Sequence, residues 1–364
     1  MMLTILIVIA TLALLILIHE FGHFLSAKLA GLRIEEFGFG FPPRLFGKKI
    51  GETIYSLNLV PFGGFVKIYG ESDRSLPDIP EKERNFAFKP AWVRAIILIS
   101  GTLNNFIFGW LLLSFIFFIG SPTLADNINR NQLKDVKITV SMIAPNSPAE
   151  LAGLKMDDKI LEVKTSKDLL FAKNLEDLIK FIEKNKGEKI VFTILRGKQI
   201  FDVEVLSRAN PPKNEGPTGI ALTEIGFSKL PLLKSLTTGL TFSFKIASVI
   251  LETLGKIIKN LFIGAPVEEI IVGPVGIVGI VNQVTHLGLS YLFRLIAIIS
   301  LNLAVLNILP FPALDGGRLV FLGIEKIKGS PVSKKIEQVI HATGFAFLIL
   351  LMIIVTIKDV IRAL

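Results

Sequence analysis

Four apolar stretches limit what this chain can fold into: residues 2–27, 95–120, 295–314 and 339–357, in which Glu20 is the only aspartate, glutamate, lysine or arginine. A hydrocarbon core of roughly 30 Å takes about 20 helical residues to cross, so each stretch predicts a transmembrane helix. The first has no basic residue before it and no small-residue cleavage site after it, and it reads as a permanent span rather than a removable signal. With 51% hydrophobic and 20% charged residues, the chain is too apolar for a soluble enzyme and too charged to be membrane throughout.

The formal net charge of +9 reads as topological. Eleven lysines and arginines lie from Lys28 to Arg94, and Arg318, Lys326, Lys328, Lys334 and Lys335 lie between the last two spans. By the positive-inside rule both loops are cytoplasmic, both termini face outward, and residues 129–224 are extracytoplasmic. No aromatic-interleaved basic patch accompanies the charge, so nucleic acid is not an expected partner. The absence of cysteine rules out disulfides, thiolate metal sites and a cysteine nucleophile, leaving histidine and carboxylates as candidate ligands.

Between the second and third spans the patterning changes to strand periods at 136–143, 159–164, 189–195 and 200–206, with short helices at 147–154 and 174–185. Within it, residues 144–161 (APNSPAELAGLKMDDKIL) resemble a PDZ domain in its circularly permuted bacterial form; a small unrelated β-rich adaptor is the competing reading. Residues 53–70 carry β-branched and aromatic residues on both sides of Pro-Phe-Gly-Gly, which predicts a hairpin. Residues 270–293 are uncharged but broken by glycines and Pro274, which favours an interfacial or re-entrant element and leaves a fifth span open. Residues 233–262 mix apolar residues with lysines and fit a helix along a membrane surface or a simple solvated amphipathic helix.

His19-Glu20-Phe21-Gly22-His23 is an H-E-x-x-H sequence on the continuation of the first span. Four-residue spacing places both imidazoles on one helical face, able to grip one zinc ion, with Glu20 beside the open position as proton carrier. The pattern alone also arises by chance in soluble proteins, but this chain has only four histidines, and ionisable groups at membrane depth are functional by default. A catalytic zinc usually has three protein ligands. Asp315, in Asn-Ile-Leu-Pro-Phe-Pro-Ala-Leu-Asp-Gly-Gly-Arg (307–318), is the best third candidate, since prolines 310 and 312 break the helix and the glycines allow close approach. Spacing alone leaves open that Asp315 merely ends a helix. His286 and His341 read as structural. Asn104 and Asn105 read as interhelical packing, with contact to the metal region the minority alternative.

H-E-x-x-H in a first span, N-x-x-P-x-P-x-L-D-G in a late one and a PDZ-like domain between them resemble the bacterial site-2 proteases, in particular the regulator of sigma-E protease group, over essentially the whole chain. The resemblance implies His19, His23 and Asp315 as Zn2+ ligands, Glu20 as catalytic acid/base, Asn307 as substrate-binding, and the 53–70 hairpin as a membrane-associated element that could hold an unwound substrate by strand addition or act only as a lid. One evident PDZ domain, where some members have two, leaves the manner of gating open. The expected fold is a multi-pass α-helical membrane protein of about four transmembrane helices, with a membrane-associated β-hairpin and one inserted extracytoplasmic α+β PDZ domain. Its expected parts are 1–125 (first membrane part), 126–224 (PDZ domain), 225–290 (interfacial linker) and 291–364 (second membrane part). The expected function is an intramembrane zinc endopeptidase of the bacterial inner membrane, with its active site near the cytoplasmic side. It would cleave transmembrane segments of single-span proteins such as anti-sigma factors or remnant signal peptides. A catalytically silent PDZ scaffold is the alternative, against which an intact Glu20 argues.

Overall fold

The computed structural model describes residues 2–71, 81–124, 133–197, 199–212, 215–264 and 273–363. In chain order the elements are α1 (Met2–Leu29), β1 (Ile34–Ile50), β2 (Thr53–Ile68), α2 (Ala91–Ile119), β3 (Ser121–Leu124), β4 (Leu133–Ile143), α3 (Pro148–Leu151), β5 (Lys159–Lys164), β6 (Leu169–Phe171), α4 (Leu175–Lys184), β7 (Lys189–Arg196), β8 (Gln199–Leu206), β9 (Ile220–Ser228), α5 (Leu232–Ile263), α6 (Pro274–Leu287), α7 (Leu289–Ile308), α8 (Asp315–Lys328) and α9 (Lys334–Ala363). They divide into two compact units: Met1–Ile116 with Leu236–Leu364, and Phe117–Ser235.

Among the described residues, α1, α2, α7 and α9 are the four helices long and apolar enough to cross a membrane, matching the four apolar stretches. At 14 residues, α6 is too short for a perpendicular span; residues 265–272 before it lie outside the described set. The lysine-bearing stretch 233–262 is one helix, α5. Buried Leu113 and Ile116 of α2 pack on Ala297 and Leu301 of α7. A second cluster, Ala27, Leu32, Ile34, Ile68, Phe86, Ile97, Leu98 and Leu322, ties the end of α1, the start of β1 and the end of β2 to α2 and α8.

The expected hairpin within 53–70 is corrected here. Residues 53–68 form the single strand β2, whose antiparallel partner is β1, and the chain reverses at Gly51, where φ is +64°, rather than at Gly63-Gly64. Both strands are bent, so residues 36–39 have neighbours on two sides: Phe37 pairs with Val66 and with Tyr55, Phe39 with Gly64 and with Leu57. Stretch 34–39 thus lies inside a small sheet, with 64–68 along one edge and 44–50 along the other. A Gly-Gly pair reads as a turn from sequence, but a strand also uses glycine where it bends or where another element approaches closely.

The second unit is α+β: a seven-stranded sheet in the order β3-β9-β4-β5-β7-β8, with β6 paired to β5. Its core is Ile138, Val140, Ile160, Val163, Leu178, Ile182, Ile190, Phe192, Ile194 and Val205 with Ala149 and Leu154. The strands and helices expected over 136–206 are present, and β3, β6 and β9 are additional. Buried Asp158 is paired by Arg196, whose Nε and Nη2 donate to the two carboxylate oxygens at 2.7 Å each.

Candidate metal centre

His19 and His23 lie one turn apart on α1, and the close approach of α2 sets their orientation. A Cβ on Gly22 would fall 2.3 Å from the Ser100 carbonyl oxygen, and one on Gly101 would fall 2.3 Å from His23 Nε2, so the helix contact depends on two missing side chains. His23 Nδ1 lies 2.7 Å from the Ile97 carbonyl oxygen. A carbonyl only accepts, so Nδ1 carries the proton and Nε2 of the neutral ring presents a lone pair.

The third group arrives from α7 and α8. Helix α7 stops at Ile308 because Pro310 cannot continue it, and Asp315 opens α8 after the turn 309–314. Sequence reading placed Asp315 at the end of the third span; it is instead the first residue of the next helix. Gly316 sits against the Ile308 and Leu309 carbonyls, where a Cβ would be 2.1–2.3 Å away. Asp315 Oδ2 lies 3.0 Å from His19 Nε2 and 3.3 Å from His23 Nε2, the two imidazole nitrogens are 3.3 Å apart, and all three ligand atoms fall within 4.8 Å of one another.

The donor set fits a cation. Asp315 Oδ2 is buried and accepts no well-directed hydrogen bond, although two imidazoles crowd it. Asn105 of α2 is fully buried, with Nδ2 3.4 Å from His19 Nδ1 and Oδ1 unpartnered. Turning the amide over exchanges the two atoms, so that Oδ1 accepts from His19 Nδ1–H. Both Nε2 lone pairs and a carboxylate oxygen then converge, an arrangement that repels itself unless a positive ion lies between them. One carboxylate and two imidazoles are a donor set suited to zinc.

Glu20, Gly64, Phe65, Val66, Ile68, Glu71 and Arg318 line the same cavity as the three ligand candidates, about 200 Å3 in volume. Gly64 is close enough to α1 that a Cβ there would be 3.0 Å from Glu20 Cγ. Arg318, one turn beyond Asp315, pairs with Glu71. Asn104 Nδ2 donates to the Ile18 carbonyl at 2.7 Å, so both α2 amides serve the H-E-x-x-H turn. Asn307 is half-buried in the last turn of α7. Sequence reasoning missed Glu71, Gly101 and Arg318, and only the oddity of amides inside a span pointed to Asn105. His286 lies in α6, with its side chain outside the described set. His341, expected to be structural and without a ligand partner, accepts a hydrogen bond from Ala313 N–H.

The sequence profile of peptidase family M50 matches residues 7–351. The chain belongs to this family, the site-2 proteases. It is 33% identical over 351 residues to a candidate zinc metalloprotease of Clostridium perfringens, covering 95% of each chain. It is 30% identical over 435 residues to the zinc metalloprotease RasP of Shouchella clausii, covering 98% of each. It is 28% identical over 429 residues to the regulator of sigma-W protease RasP of Bacillus subtilis, covering 96% of each. This M50 chain is thus a zinc metalloprotease and a membrane protein.

Proposed function

We propose that this M50 protease cleaves the membrane-spanning segments of single-span proteins at a zinc ion held by His19, His23 and Asp315, with Glu20 as acid and base. The observation that carries this is the meeting of the three ligand atoms at 3.0–3.3 Å on and beside a helix apolar enough to span a bilayer. When bound, zinc supplies a Lewis acid that polarises the scissile carbonyl and brings the pKa of water to about 7. Glu20 takes the proton of the attacking water and delivers it to the leaving nitrogen. Asn307, near the end of α7, contacts substrate.

A spanning helix hides its peptide groups in its own hydrogen bonds, so it must be opened before a carbonyl can react. The outer edge of stretch 64–68, which no strand pairs among the described residues and which lines the cavity beside Glu20, holds the opened segment by strand addition. The second unit acts as a PDZ domain on the extracytoplasmic side, filtering or sensing substrates, and the loops rich in lysine and arginine support a cleft near the cytoplasmic face of the inner membrane. The relative named for sigma-W regulation favours anti-sigma factors as one substrate class; remnant signal peptides are a second. Glu20→Gln tests this reading. The variant is expected to retain zinc while turnover falls by at least about 100-fold, as for loss of a general base, and trimmed single-span proteins accumulate in membrane proteomics. An unchanged proteome with unchanged turnover rejects it.

A further inference from the structure

We propose that His341, on α9, is a positioning residue for the metal centre: it latches the turn that delivers Asp315. The inference rests on Asp315 being a zinc ligand. Ala313, two residues before Asp315, has φ +75°, a left-handed conformation that a residue with a Cβ, and no side chain able to hydrogen-bond locally, adopts only when its surroundings impose it. Its N–H donates to His341 Nδ1 at 2.8 Å. One turn on, Gly344 faces Pro312 so closely that a Cβ would lie 2.5 Å from Pro312 Cβ and 2.8 Å from its carbonyl oxygen. A further turn on, Phe347 packs on Phe311 with ring centroids 5.9 Å apart. A stripe of α9 at three-residue spacing therefore grips 313, 312 and 311 in turn, and the strained residue receives its only directed bond in this stripe from the imidazole.

The ring is itself held. Phe321 of α8 packs against it at 5.3 Å between centroids, and it lines a cavity of about 240 Å3 together with Arg318 and Glu337. Because Ala313 N–H is a donor, Nδ1 must be unprotonated, which places the ring proton on Nε2. Nε2 is buried with no hydrogen-bond partner among the described residues. The histidine thus does its work through Nδ1 on the turn, and it is not among the three grouped ligand candidates.

Zinc affinity of the full-length protein in detergent, measured by competition with a chelator, tests the latch. His341→Leu is expected to weaken zinc binding about 10–100-fold, the usual effect of losing a group that orients a ligand. His341→Asn, whose Oδ1 occupies the place of Nδ1, is expected to restore most of it, whereas His341→Gln, whose polar atoms reach the place of Nε2, is not. Ala313→Gly removes the conformational penalty at 313 and should recover part of the affinity lost in His341→Leu. A folded wild type that binds no zinc overturns the metal assignment and the latch with it. Wild-type binding that His341→Leu matches overturns the latch alone. Should His341→Leu not fold, the Asn and Gln variants decide: equal affinities in the two overturn the proposal.

Discussion

Two asparagines on α2 show how a buried amide can serve a reactive centre without joining it. Asn105 Oδ1 finds its partner only if it accepts from His19 Nδ1–H, which fixes that ring with Nε2 free, as the Ile97 carbonyl does for His23. Asn105→Leu is therefore expected to lower zinc affinity about 10–100-fold, while Asn105→Asp, which supplies the same acceptor, keeps it. Equal zinc binding in wild type and Asn105→Leu, by chelator competition, would show the amide to be packing only. The H-E-x-x-H pair was legible in the sequence because metal ligation restricts residue type and spacing; Asp315 was legible only through the family resemblance, since spacing alone left open that it merely ends a helix. Asn105 and His341 were not, because their roles depend on which helix lies opposite, and neither α2's register against α1 nor α9's against the 309–314 turn is written in local pattern.

At the scale of elements, the spans were legible from length and apolarity alone, while their ends moved by up to six residues, as at α7, Leu289–Ile308. The β element was not. Residues 34–50 carry glycines and a Pro-Pro pair that argue against a strand interior, yet they form β1, because bends at those positions let one strand pair on both sides. The consequence is an edge at 64–68 beside Glu20. Proline placed in turn at Gly64, Phe65 and Val66 removes one backbone donor at a time. At the position whose N–H points outward, cleavage is expected to fall at least about tenfold with the fold intact, and full activity in all three folded variants would exclude strand addition. Helix α6 makes a second case. Its N-cap residue Gly273 has no side chain to cap with, and the buried Asp359 carboxylate of α9 accepts from Gly276 N–H at 2.8 Å instead. Asp359→Ala should destabilise the first unit by about 1 kcal/mol, the usual worth of a cap, read as a lowered unfolding midpoint in detergent, and an unchanged midpoint would make the contact incidental.

For the whole molecule, chemistry and topology constrain each other. A hydrolase inside a bilayer must reach water from one face and its substrate from within, so the position of the basic loops decides which face feeds Glu20. The arginines and lysines from Lys28 to Arg94 and those from Arg318 to Lys335 flank both halves of the ligand set, and cytoplasmic loops are where such residues accumulate. Because the chain contains no cysteine, single reporters can be introduced without background. Lys48→Cys, exposed on the outer stretch of β1, and Ser166→Cys, exposed between β5 and β6, lie in different units. In cells stripped to expose the outer face of the membrane, an impermeant maleimide is expected to label Ser166→Cys at once and Lys48→Cys only after that membrane is opened. Labelling in the reverse order would invert the protein, put the metal centre near the outer face, and leave the second unit unable to screen extracytoplasmic substrates.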